Sequence, residues 1–163
     1  MYRTCTKIKK LMSDNFGDVF REYWLDSPNA VIFSSLPALY VAPVSSSLDV
    51  ADSSRDIWTY TLDVGVIIDA KQELLKFKKE MVGTQFLTEI MEGKNADGTL
   101  KTNSIIYVLR NNLNLGSDAT STWIMGNSLS ISYEMATRAG ISAQFVSKEV
   151  SVRFSVTQFL NRP

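Results

Sequence analysis

The sequence predicts an α+β fold: a mainly antiparallel β-sheet with two amphipathic helices packed on one face. Three observations predict it. In Ile57–Asp69 (IWTYTLDVGVIID), Trp58, Tyr60, Leu62, Val64, Val66 and Ile68 alternate with Thr59, Thr61, Asp63, Gly65 and Asp69. Side chains alternate across a strand, so one face is apolar and the other polar. Ala70–Glu92 then switches at once to helical period. The last third alternates almost throughout, which marks antiparallel strands with one solvated face.

Taken in order, Thr4–Leu25 is expected to be helical. Ile8, Leu11, Met12, Phe16, Val19, Phe20, Tyr23 and Trp24 recur at three- and four-residue steps, with Lys7, Lys9, Lys10, Asp14, Asp18, Arg21 and Glu22 opposite. Gly17 inside it costs about 1 kcal/mol relative to alanine. Asp26-Ser27-Pro28-Asn29 ends the helix, because proline disfavours helical geometry in the preceding residue. Ala30–Ser35 is a short apolar run without a clear period. Leu36–Val44 (LPALYVAPV) carries two prolines around a short run, as edge strands do.

Ser45–Asp56 is serine- and aspartate-rich and is expected to be a mobile loop. The strand Ile57–Asp69 comes next, about 40 Å long at strand rise. That exceeds the usual span of about 3–10 residues, so it should overhang a small core and pair elsewhere. In the second helix, Leu74, Phe77, Met81 and Phe86 are expected to pack against Trp58, Tyr60, Leu62, Val64 and Val66, with Asp69 as N-cap and Gly93 as C-cap. Lys94–Thr102 contains the turn pair Asp97-Gly98. Ser104–Arg110 reads as a short buried strand, and Asn111–Thr122 as a further mobile loop. Three closing strands are expected: Ser128–Met135, then Ile141–Phe145 after a turn near Thr137–Gly140, then Glu149–Thr157.

The 163 residues fit one domain, 1–163, with mobile loops near 45–56, 94–102 and 111–122. Lys+Arg and Asp+Glu both count 17, so no net charge points to a nucleic-acid or acidic-lipid partner. Histidine is absent, which removes the commonest general base and metal ligand. The single cysteine, Cys5, cannot close an internal disulfide, which fits a reducing compartment. There is no charged-then-apolar leader, and no run approaches the ~20 apolar residues of a membrane span. The chain is therefore expected to be soluble, without a membrane partner, and cytoplasmic when made.

Little here resembles catalytic chemistry. Asp63 and Asp69 share a strand face but sit about 20 Å apart at strand rise, too far for paired acid–base work on one bond. Lys94–Gly98 has lysine where a calcium loop needs a carboxylate, and no closing glutamate. No glycine-rich phosphate cradle appears. The Phe16, Phe20, Trp24 stripe reads as core. No catalytic, cofactor-binding or metal-ligating residue is assigned, and no cofactor is expected. Long alternating strands and polar loops suit a module whose product is a surface, closed into a ring by its sheet edges.

An amphipathic N-terminal helix leads to LPALYVAPV and a polar loop. Then come the long strand DIWTYTLDVGVII, the helix LLKFKKEMVGTQFLTEIM and closing strands ending in VSVRFSVTQF. That arrangement, over residues 4–159, resembles the tail terminator proteins of long-tailed bacteriophages, also called tail completion or head-to-tail joining proteins. The resemblance rests on size and element order. It implies a homohexameric ring without enzymatic activity that caps the tail tube, stops its polymerisation and joins tail to head. The implied partners are further copies of the chain, the tail tube protein and a head-completion or neck protein. DNA would pass through the lumen without sequence-specific binding. The protein would then belong to the virion tail or neck and be assembled in the host cytoplasm. Two other readings remain open: another phage structural module (head-completion or tube protein), or a small intracellular ligand-binding α+β domain.

Overall fold

The computed structural model describes residues 1–52, 54–69, 83–115, 122–140 and 144–161. Its elements are α1 (Tyr2–Phe16), β1 (Glu22–Leu25), β2 (Ala30–Val31), β3 (Ala38–Val50), β4 (Arg55–Asp69), α2 (Gly83–Glu92), α3 (Ile105–Asn111), β5 (Thr122–Ile124), β6 (Ser130–Gly140) and β7 (Gln144–Asn161). The fold is α+β with a mainly antiparallel sheet, as the alternation implies. Its order is β1-β3-β4-β7-β6-β2, with β5 also paired to β7. Among the described residues, only the short end strands β1 and β2 pair in parallel, with β3 and β6 respectively.

The strand Ile57–Asp69 is the centre of this sheet, extended by two residues to Arg55. It is hydrogen-bonded to β3 on one side and to β7 on the other over nearly its whole length. The even face behaves as the alternation requires. Tyr60, Leu62, Val64, Val66 and Ile68 are buried in one core with Val150, Val152, Phe154 and Val156 of β7. The helices close that core with Ile8, Met12 and Phe16 from α1, Leu87, Ile90 and Met91 from α2, and Ile105 and Leu109 from α3. Among the described residues, three helices rather than two therefore cover this face. α2 lies chiefly over β7 and against α3, and Phe86 packs against the same core. Leu74, Phe77 and Met81, expected partners of the long strand, lie outside the described residues.

Several expected elements differ, each for a physical reason. The helix expected over Thr4–Leu25 stops at Phe16, because Gly17 adopts φ 45°, open to glycine but costly for other residues. Glu22–Leu25, rich in large β-favouring side chains, is then free to become β1. Phe16, Phe20 and Tyr23 still meet edge to face, with ring centroids 5.7 Å apart at each step. Trp24 instead turns to the other side of the sheet. Leu36–Val44 is not an edge strand over its first half: Ala38–Val41 is paired on both sides. Pro43 is tolerated because it lies past the end of β1, where β3 has a register shift between Pro43 and Ser45.

Ser104–Arg110 is helical, not a strand. The Ser104 hydroxyl accepts from the Tyr107 N–H at 3.3 Å and so caps α3. Ile105, Ile106, Val108 and Leu109 are buried at the steps of a helix. The turn expected near Thr137–Gly140 is strand instead: β6 runs on to Gly140, and β7 joins Gln144 and Phe145 to the expected Glu149–Thr157 in one strand, while Ile141, Ser142 and Ala143 of the expected Ile141–Phe145 lie outside the described residues. Lys94–Thr102 is a turn as read. Gly98 takes φ 83° and Asp97 accepts from the Thr99 N–H at 2.9 Å.

The order of strands also bends the sheet. β1 and β2 occupy opposite ends, five strand spacings or about 24 Å apart if flat. The five steps from Leu25 to Ala30 span at most about 18 Å, so the sheet must curl. The crossing segment covers part of the odd face. Val31, Leu36, Ala38, Tyr40, Ala42 and Ile67, with Trp24, form a second small core there.

Candidate assembly surfaces

The odd face holds a polar cleft of about 320 Å³, lined in part by Tyr40, Asp63, Ser132, Glu149, Ser151 and Arg153. Asp63 and Arg153 are register partners on β4 and β7. The guanidinium donates two bonds to the carboxylate, Nε to Oδ1 at 2.9 Å and the terminal nitrogen to Oδ2 at 2.8 Å. Hydrogen bonding and charge from Asp63 raise the Arg153 pKa further. A fork-on-fork pair across two central strands holds register. Asp69, six residues on, is buried and opposite Ser147, so the structure does not bring the two aspartates together.

Other residues weighed for chemistry have structural roles. Cys5 is buried, and desolvation pushes its thiol up, the opposite of what a reactive thiolate needs. Among the described residues, no cluster of three or more Cys, Asp or Glu side chains could hold a metal ion. No helix among them is long and apolar enough to cross a membrane.

The more distinctive surface is the far end of the β3–β4 hairpin. Ser45–Asp56, read as a loop, is strand on both sides of a tight turn: Ser45 pairs with Thr61 and Val50 with Asp56. Serine and aspartate bury little, but backbone pairing with β4 and β7 makes this stretch a continuation of the sheet. Asp52 organises the turn, accepting from the Ser54 N–H and hydroxyl at 2.8 and 2.9 Å and from Arg55 Nε at 2.8 Å. Those bonds, the Ser54 pair first, hold its carboxyl at about 2 instead of 3.8. A pKa depressed on folding contributes stability above the unfolded value and loses it as pH falls through the folded one. The Ser54 amide resonance is therefore expected to titrate with a midpoint near 2 and to lose that step in Asp52→Asn; a midpoint at 3.8 would show an unformed turn.

On the helix side, this end of the sheet outruns its cover. Leu48 and Val50 are 50 % and 68 % exposed. They stand beside Trp58 and Asp56 of β4, which are in turn opposite Gln158 and Leu160 of β7. Next to them a cleft of about 460 Å³ separates the first turns of α1 from β5 and β7. Tyr2, 73 % exposed, and the cations Arg3 and Lys7 line it. On the opposite side of the sheet Trp123 and Phe159 are also partly exposed. Sequence reasoning missed the cleft, since residues 2–7 and 158–160 meet only through β7 returning beside α1. The exposed Leu48 and Val50 were visible as apolar residues in a polar stretch. No protein-family model matches this chain, and comparison with curated proteins finds no relative.

Proposed function

We propose that the protein is a ring-forming structural component of a long-tailed phage virion, of the tail-terminator kind. In this reading six copies close on the end of the tail tube, stop its growth and offer a docking face to a head-completion or neck protein. The ring has no enzymatic task, and DNA passes through it without base-specific contact. One observation carries the assembly part of the reading. A central hairpin with strands of 13 and 15 residues continues past the helices that cover the core and ends in exposed Leu48 and Val50. This sheet end is apolar on the helix side, and among the described residues the β3 backbone beyond β1 has no further strand on that edge. Such an end offers surface for another chain. The tail-specific part is supported by the resemblance in size and element order.

Native mass spectrometry of the purified chain is expected to give a closed oligomer of six. Addition to polymerising tail-tube protein should shorten the tubes and leave a ring at one end. Monomer alone across micromolar concentrations, with no effect on tube length, would sink the reading. Long tubes formed by this chain alone would make it a tube subunit instead.

A further inference from the structure

We propose that neighbouring copies join by seating the tip of the β3–β4 hairpin of one copy in the cleft beside α1 of the next. The proposal rests on the ring reading above and names the two surfaces that would make the ring.

The first argument is charge. Residues 45–56 hold Asp49, Asp52 and Asp56 against Arg55 alone, so the tip is acidic. The rim of the cleft carries Arg3 and Lys7. Several charges near these surfaces are satisfied within the chain: Lys10 pairs with Asp14, and Arg55 with Asp52. Among the described residues, Asp49 on the tip and Arg3 and Lys7 on the rim make no ion pair. Opposite charges left over on two separate surfaces are what complementary faces of one interface require.

The second argument is apolar surface. Leu48 and Val50 on the tip, and Tyr2 beside the cleft, are among the most exposed large apolar side chains described. The tip cannot fill the cleft of its own molecule. Asp56 is locked opposite Leu160 by the β4–β7 ladder, and Val50 opposite Asp56 by the β3–β4 ladder. The tip is therefore held at the margin of its own cleft and pointed past it. Contact between two different surfaces is heterologous, and it gives a ring where the rotation from copy to copy closes and an open filament where it does not. Leu48 and Val50 stand on the helix side of the tip and Asp49 between them on the other side, so a cleft that encloses the tip meets both kinds of side chain.

Charge exchange tests this on the full-length chain by sedimentation velocity. Asp49→Lys alone, and Arg3→Glu with Lys7→Glu, should each raise the concentration for half-assembly by roughly tenfold or more. Mixing the two variants in equal amounts should restore assembly, as should combining all three changes in one chain. Melting temperatures of the unassembled variants should stay at the wild-type value, because among the described residues these side chains make no ion pair. In the wild type, assembly should weaken as salt rises from about 0.05 to 0.5 M. Rings that ignore both salt and charge reversal would overturn this interface and leave the ring reading standing. Reversed variants that fail to recover on mixing would also overturn it. A wild type that stays monomeric would remove both.

Discussion

Replacing Phe154 with alanine is expected to destabilise the domain by about 3–5 kcal/mol, and Leu62→Ala by about 2–5 kcal/mol. The two are register partners on β7 and β4, and both are completely enclosed. They stand on the face that the three helices cover, so truncation at either leaves a cavity inside the core that strands and helices share. The surrounding ladders are paired along the strands and cannot collapse into that space. Thr61→Ala, one residue along the same strand, points to the other face and should cost no more than about 0.5 kcal/mol. Because Leu62 and Phe154 touch the same space, the double variant should cost less than the two singles added together. Chemical denaturation of the four proteins measures all of this. Equal costs at Thr61 and Leu62 would show that the face has been assigned the wrong way round.

Gly65→Ala is expected to cost about 1–3 kcal/mol, in spite of alanine's better fit to folded backbone in general. Gly65 lies between Tyr40 on β3 and Ser151 on β7. The ring of Tyr40 lies across it, and an added Cβ would overlap that ring. Tyr40 cannot simply swing away, since it is buried in the small odd-face core with Val31, Leu36 and Ile67. A glycine that yields its side-chain space to a cross-strand aromatic is a known device of sheets. The pair is therefore coupled: with Tyr40→Ser already in place, Gly65→Ala should cost nearly nothing. Denaturation midpoints of the two singles and the double decide it. Additive costs would mean that Gly65 is needed for its backbone rather than for the room it leaves.

Alternation by itself determined the centre of this protein. A strand needs only its own residues to set which side chains share a face, so Tyr60 to Ile68 and Val150 to Val156 were assigned to the core correctly from period alone. The class of fold came with it, because one apolar sheet face and helical stripes leave few ways to bury both. The polar turn at Asp97-Gly98 was equally local. Local pattern could not settle Ile105–Leu109: a short apolar run suits a buried strand or a buried helix, and only the Ser104 cap and burial on both sides made it helical. Nor could it show that Gly17 ends a helix, since glycine tolerates helical and left-handed backbone alike and the packing of residues 20–25 into the sheet selects between them.

Tertiary structure alone decided the two surfaces on which function is argued. Ser45–Val50 is too polar to predict as strand, yet pairing with β4 satisfies its backbone regardless of side chain. The cleft at Arg3 and Lys7 joins the two ends of the chain, about 150 residues apart, and no periodicity reports a contact at that separation. The cover over the odd face arises the same way, from a short link between Leu25 and Ala30 that joins opposite ends of the sheet and forces it to curl. Local sequence chooses the faces of each element, but chain connectivity chooses which faces are left open. An assembly surface is made of what is left open.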